Sequence, residues 1–203
     1  ATYVHVSDLH FGDRHPDDAS PPLLWPYVRT FDGLLGHHFR ALKQLTILVE
    51  DLRDRENARL IVTGDLTRFG HADQFRFVSE FLGAKAALSH GRSIGVAEYD
   101  WSDRAIPGNH DHWPGRPVPV GPPPLATLRQ LFRPFPFVGQ LESISDTVFV
   151  RFLGINSDAE VNSVERLFGI GSFTKQLADL AQGLPQRQQN EIRVLLIHHS
   201  RAH

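Results

Sequence analysis

The chain has 203 residues, 41% of them hydrophobic, and a net charge of -2 at pH 7. This length is typical of one globular domain, and the composition excludes wholesale disorder. There is no basic excess to hold nucleic acid or an acidic membrane surface nonspecifically, and the absence of cysteine excludes disulfides and thiolate metal sites. No apolar stretch approaches the ~20 residues of a membrane helix, so we expect a cytoplasmic protein with no membrane partner.

The first half of the chain alternates β-rich runs with amphipathic segments. Apolar residues at helical spacing predict helices at about residues 37–55 and 72–88, and short apolar runs predict strands at residues 3–7, 59–63 and 104–106. Between the first strand and the first helix, four prolines indicate a Pro-rich insertion at residues 13–36, which we interpret as a lid or rim.

The second half begins with a Pro-rich loop at residues 113–124, because so many prolines fit neither a helix nor a central strand. Further elements are predicted in this order: a short helix at residues 125–132, a strand at 147–155, a helix at 173–184 with Ser172 as its N-cap, and a buried strand at 192–197. The alternation of strands and helices predicts a layered α/β fold in a single domain that spans residues 1–203.

Four clusters of polar residues follow predicted strands. They are Asp8-x-His10, Gly64-Asp65, Gly108-Asn109-His110-Asp111 and His198-His199. Because ligands bind beyond the carboxyl ends of the strands in open α/β sheets, we expect the four clusters to meet at one edge.

The first two clusters offer metal ligands. Asp8 and His10 lie two positions apart, so on an extended backbone both side chains point the same way and can bind one cation. Asp65 has two carboxylate oxygens, which can bridge two metals. Taken alone, each of these acidic residues is more simply interpreted as a turn former.

The other two clusters are harder to explain as turns. A turn accounts for Asn109 and Asp111 but gives no reason for a histidine between them. Asn109 offers a neutral carbonyl oxygen as a ligand, and His110 can supply a proton while Asp111 orients it, as general acid catalysis requires. His198 leaves a predicted strand at the same edge as the other clusters, although a hydrogen-bonded core imidazole is the alternative.

Together the clusters resemble the pattern of the calcineurin-like metallophosphoesterases, which is D-x-H, G-D, G-N-H-D and then a strand-end histidine. Within that superfamily, the sequence looks most similar to the branch of cyclic-nucleotide phosphodiesterases. The features that carry this second similarity are Ser7-Asp8-Leu9-His10-Phe11-Gly12, Gly64-Asp65-Leu66-Thr67, Gln176-x-x-x-Leu180 and His198-His199. The resemblance implies a layered β-sheet sandwich of the metallophosphoesterase type, flanked by helices.

The resemblance also implies a site for two metal ions, with Mn, Fe or Zn as the expected elements because the ligands contain no sulfur. The implied ligands are Asp8 and His10 on the first metal, Asp65 on both, and Asn109 and His198 on the second. His110 would be catalytic without binding metal, and Asp111 would assist it.

The implied reaction is phosphoester hydrolysis, in which a metal-bridging hydroxide attacks phosphorus and His110 protonates the departing alkoxide. A small phosphodiester such as a cyclic nucleotide is the expected substrate. A nuclease, a phosphoprotein phosphatase and a non-catalytic binding module are the alternatives, and the near-neutral charge argues against the nuclease.

The sequence departs from the family pattern near its end. Ser200 stands where proline usually follows the double histidine, and the final G-H-x-H motif is absent before His203. Each metal then lacks one imidazole, which weakens binding. We therefore expect the sequence to be part of a longer protein whose continuation supplies these histidines and the missing C-terminal strands.

Overall fold

A computed structural model of the chain describes residues 1–12, 39–84, 86–87, 93–116 and 118–199. The Pro-rich insertion predicted at residues 13–36 lies outside these described residues. Among the described helices, none is long and apolar enough to cross a membrane.

The first sheet has three parallel strands in the order β1-β2-β5, with β1 at Tyr3–Val6, β2 at Arg59–Thr63 and β5 at Ala105–Ile106. Helix α1 (Phe39–Glu56) connects β1 to β2, and helix α2 (Ala72–Gly83) follows β2. Because the strands are parallel, their carboxyl ends share one edge of the sheet. The polar clusters that follow β1, β2 and β5 are therefore brought to that edge.

Helix α2 is shorter than predicted. It ends at Gly83, and Ala86–Ala87 (β3) pairs in antiparallel fashion with Ser93–Ile94 (β4) instead of continuing the helix. Alanine favours a helix, but here the hydrogen-bonded pairing with β4 determines the conformation instead of the local helix propensity. The predicted apolar face of the helix is correct, since Phe75, Val78, Phe81 and Leu82 are all buried.

The second sheet has the order β6-β7-β8, with β6 at Phe137–Ser143, β7 at Phe149–Gly154 and β8 at Glu191–Leu196. Strand β6 was not predicted, because it contains Gly139 and its buried positions do not alternate regularly. The prediction that β8 is buried is wrong. In the described sheet it pairs only with β7, and Ile192 and Leu195 are 47% and 43% exposed.

The remaining helices are short. Helix α3 spans Leu125–Leu131, α4 spans Ser163–Leu167 and α5 spans Thr174–Gly183. Ser172 is not the N-cap of α5: Phe173 occupies that position, and the backbone N–H of Ser172 donates to the carbonyl of Ser157 at 2.8 Å.

Two main apolar clusters hold the elements together. The larger one packs α1 and α2 against the first sheet, and a smaller one joins Ile106 of β5 to Phe137, Val150, Phe152 and Leu196 of the second sheet. The mixed α/β architecture confirms the predicted fold class.

Candidate metal centre

The structure brings five of the predicted site residues together. Two groups of three side chains have ligating atoms within 4.8 Å of one another: His10, Asp65 and His110 form one, and Asp8, Asp65 and His198 form the other. Asp65 belongs to both groups, as a bridging carboxylate must. The groups differ from the implied ligand sets because His110 joins His10, and Asp8 joins His198.

Three of these residues have a left-handed backbone conformation, which directs their side chains into the site. Asp8, His10 and Asp65 have φ values of 56°, 43° and 52°, a region that costs energy for residues other than glycine. The predicted reason for the convergence of Asp8 and His10, alternation along an extended strand, is therefore wrong. Main-chain hydrogen bonds hold the conformation, since Asp8 N donates to Gly64 O at 3.0 Å and His10 N donates to Asp65 O at 2.8 Å.

Asp65 lies at the centre of the site and is 4% exposed. Its Oδ1 accepts a hydrogen bond from the backbone N–H of His110 at 2.9 Å, while its Oδ2 lies 3.6 Å from His10 Nε2 and 3.4 Å from His198 Nε2. Burial acts to raise the pKa of Asp65, but the hydrogen bond and charge of His198, with His110 and His10, lower it. The carboxylate is therefore ionised and suited to hold cations.

Main-chain carbonyls orient two of the imidazoles. Nδ1 of His198 lies 2.7 Å from Thr63 O, and Nδ1 of His110 lies 2.7 Å from Arg68 O. A carbonyl only accepts hydrogen bonds, so each Nδ1 carries a proton and Nε2 is the ring nitrogen that a cation could use. Burial acts to lower the pKa of His198, but Asp65 and the Thr63 carbonyl raise it to about 9. A cation bound at Nε2 would replace that proton.

Asn109 is buried and its amide is fixed in one direction. The Nδ2 group donates to Arg166 O at 2.9 Å, so Oδ1 is the end of the amide that can face a cation. Arg166 is itself held by Asp158, with Nε 2.6 Å from Oδ2. Burial raises the pKa of Asp158 to about 7, against the opposing effect of Arg166.

The prediction that Asp111 orients His110 is wrong. Asp111 is fully buried: Oδ1 accepts from the N–H and the hydroxyl of Thr67 at 2.8 and 2.9 Å, and Oδ2 accepts from Gly108 N at 2.9 Å and Leu66 N at 3.2 Å. The three bonds from Leu66 and Thr67 connect the loop after β2 to the loop after β5. Burial and the charge of Asp65 raise the pKa of Asp111 to about 6.

The neighbouring histidine, His112, is a core residue. Its Nδ1 lies 2.8 Å from Gly108 O and its Nε2 lies 3.1 Å from Nδ2 of Asn156, an arrangement that satisfies a neutral ring. Burial lowers the pKa of His112 to about 4. His112 is thus a buried structural residue of the loop after β5 and not one of the proposed ligands.

The glycines of the two central motifs allow the close approach of Asp65 and His198. A Cβ atom on Gly64 would lie 2.3 Å from His198 Nδ1, and one on Gly108 would lie 2.3 Å from Asp65 Oδ1. The φ of Gly64 is also 87°, which other residues rarely adopt. No other residue fits at either position without moving the site.

Sequence reasoning missed four residues that support the site: Arg68, Trp113, Asp158 and Arg166. Arg68 and Arg166 contribute main-chain carbonyls, which leave no signature in a side chain. Asp158 lies in a stretch without a recognisable motif. Only Trp113 could have been found from the sequence, because it lies two residues after Asp111 and so close to a predicted site motif.

The donor set fits a pair of metal ions. Two carboxylates and three imidazoles are grouped without sulfur, which suits Mn, Fe or Zn. The two donor groups share an ionised carboxylate, so two cations would be partly neutralised by one residue.

Comparison with known proteins supports this chemistry. A family model described as calcineurin-like phosphoesterase matches residues 1–202. No curated protein and no solved structure matches the sequence.

Proposed function

Because the chain belongs to the calcineurin-like phosphoesterase family, we propose that it is a metal-dependent hydrolase that cleaves a small phosphodiester. The observation that carries the proposal is the position of Asp65, whose carboxylate is shared by two groups of ligating atoms. Enzymes that use two metals in phosphoryl transfer need such a bridging group.

The proposed ligands are Asp8, His10, Asp65, Asn109 and His198. When bound, the metal ions activate water as the nucleophile and neutralise the charge on the phosphoryl oxygens. The chain provides two oriented imidazoles for this task, because backbone carbonyls hold His198 and His110 with Nε2 directed into the site.

We assign His110 the role of proton donor to the leaving oxygen. Since its Nδ1 proton is engaged by Arg68 O at 2.7 Å, the proton that is transferred must come from Nε2 of the imidazolium. A ring nitrogen of His110 lies within 4.8 Å of ligating atoms of Asp65 and His10, so the number of ions bound without His110 separates the two roles.

A cyclic nucleotide is the favoured substrate class. The support is the similarity of the sequence around Asp8, Asp65 and His198 to cyclic-nucleotide phosphodiesterases, together with a net charge of -2, which disfavours a nuclease. A cyclic nucleotide has an alkoxide leaving group, which needs the proton that His110 would supply.

The test combines metal analysis with two substrates. Full-length protein is loaded with Mn²⁺, bound metal is counted, and hydrolysis of a 3′,5′-cyclic nucleotide is compared with that of bis(p-nitrophenyl) phosphate. Asp65→Asn should lose bound metal and activity on both substrates. His110→Ala should keep both ions and lose roughly 10²- to 10⁴-fold on the alkyl substrate, but much less on the aryl one.

Asp54→Asn is the matched control, because Asp54 is an exposed carboxylate on α1. It should retain both metal and activity. Two ions and near-normal turnover in Asp65→Asn would exclude a bridging role, and loss of an ion in His110→Ala would make His110 a ligand. Less than one ion bound by the unaltered protein would favour a non-catalytic binding module.

A further inference from the structure

The imidazole of the proposed proton donor is part of an aromatic stack. The indole of Trp113 packs face to face on the imidazole of His110, with ring centroids 4.4 Å apart and planes inclined by 15°. Phe69 also stacks on Trp113, with ring centroids 5.8 Å apart and planes inclined by 25°. Trp113 is 8% exposed, so the imidazole rests on a buried and rigid platform.

Three contacts together define the position of the His110 ring. The Arg68 carbonyl fixes Nδ1, Trp113 fixes the plane of the ring, and His10 meets the ring edge to face at 4.6 Å and 86°. A hydrogen bond to Nδ1 alone would leave the imidazole free to tilt about that bond. The stack removes this freedom, and it thereby sets the direction of Nε2.

Contacts between the loop after β2 and the loop after β5 hold Trp113 in place. Gly115 N donates to Phe69 O at 2.8 Å, and a Cβ atom on Gly70 would lie 2.1 Å from Trp113 O. Nε1 of Trp113 is buried and has no hydrogen-bond partner among the described residues. Among the described residues, the indole therefore makes its contacts through its faces and not through its N–H group.

We propose that Trp113 is a positioning residue for His110, which holds the imidazole so that Nε2 faces the departing oxygen. The inference rests on the proposed role of His110 as proton donor. In that step a hydroxide oxygen forms a bond to phosphorus as the bond from phosphorus to the leaving oxygen breaks. The electron pair of the broken bond stays on the leaving oxygen, and the Nε2 proton transfers to that oxygen. Trp113 would thus determine how well the protein cleaves esters with poor leaving groups.

Two variants test whether the aromatic faces of Trp113 or its N–H group contribute to the reaction. In Trp113→Leu the platform is lost, and the rate on a 3′,5′-cyclic nucleotide should fall about 10- to 100-fold, the range for removal of a supporting residue. The rate on bis(p-nitrophenyl) phosphate and the content of bound Mn²⁺ should change little. Trp113→Phe keeps an aromatic face without the unpaired donor, and it should recover most of the lost rate.

Trp101→Leu is the matched control. Trp101 is also buried, at 6% exposed, but it packs edge-on against Phe132 at 6.0 Å in the larger apolar cluster. A general loss of packing should lower the activity on both substrates equally. If Trp113→Leu does not fold, Trp113→Met, whose flexible side chain adapts to the space, serves the same comparison.

A spectroscopic measurement tests the geometry without catalysis. In metal-free protein, the ring current of the indole shifts the imidazole proton resonances of His110, which are assigned by their absence in His110→Ala. Trp113→Leu should abolish the shift and Trp113→Phe should keep part of it. Unchanged resonances in Trp113→Leu would overturn the stacking geometry.

The kinetic outcomes distinguish this inference from the proposed function. If His110→Ala discriminates between the two leaving groups and Trp113→Leu does not, the positioning role is wrong and the proposed function stands. If His110→Ala shows no discrimination, the proton-donor assignment is wrong, and the positioning role fails with it.

Discussion

Gly108→Ala should damage the site although it adds only one methyl group. The new Cβ atom would lie 2.3 Å from Asp65 Oδ1, 2.5 Å from Asp65 N and 2.8 Å from His198 Cδ2, all shorter than real Cβ contacts. The carboxylate can rotate away, but the backbone nitrogen moves only if the loop after β2 moves. Overpacking of this kind costs about 1–3 kcal/mol, which lowers Tm by roughly 2–12 °C in a chain of this size.

The assay is a thermal melt with and without Mn²⁺, together with a count of bound metal. Displacement of Asp65 should reduce both the metal content and the stabilisation that Mn²⁺ provides. Gly183→Ala is the matched control, because nothing lies within 4 Å of a Cβ atom there and alanine favours the helix by about 0.5–1 kcal/mol. A Gly108→Ala protein that melts like the unaltered chain and binds two ions would refute the reasoning.

Two buried ion-pair networks away from the site give further predictions. A hydrogen bond from Arg193 is the largest cause that lowers the pKa of Glu191 from 4.5 to about 2, so its stabilising contribution is present above about pH 4.5 and is lost as the pH falls toward 2. Glu191→Gln should therefore lower Tm at pH 7 more than at pH 2.5, and an equal loss at both would contradict the linkage. Arg104 is buried between Glu98 and Glu142, at 2.9 and 3.1 Å, so Arg104→Met should cost about 3–5 kcal/mol in urea unfolding. A cost below about 1 kcal/mol would show that the network is dispensable.

The sequence predicted which residues gather at the edge of the sheet, because strand ends carry a strong signal. β1 and β2 are short apolar runs that stop at Asp8 and Asp65, so the chemistry that follows each strand can be placed at a common edge. The backbone at those residues could not be predicted in the same way. Left-handed φ values at Asp8, His10 and Asp65 arise from hydrogen bonds between loops that are far apart in sequence.

Adjacency in sequence was misleading at Asp111. Residues His110–His112 form a single 3-10 turn, in which successive side chains diverge widely around the axis. His110 consequently points into the site, while Asp111 points back into the protein. The partner that orients His110 is a carbonyl from another loop, which no pattern of side chains reveals.

The loops after β2 and β5 position Asp65 and Asn109, two of the proposed metal ligands, together with His110, the proposed proton donor. Left-handed residues at a site cost energy and persist only where surrounding contacts determine them. Asp111 supplies such contacts, because it receives three hydrogen bonds from Leu66 and Thr67 that join the loop carrying Asp65 to the loop carrying His110. The stack of Phe69 on Trp113 joins these loops a second time. The distance from His110 to Asp65 is therefore set by buried contacts within the protein, so the geometry for the proposed proton donation would be prepared before any substrate arrives.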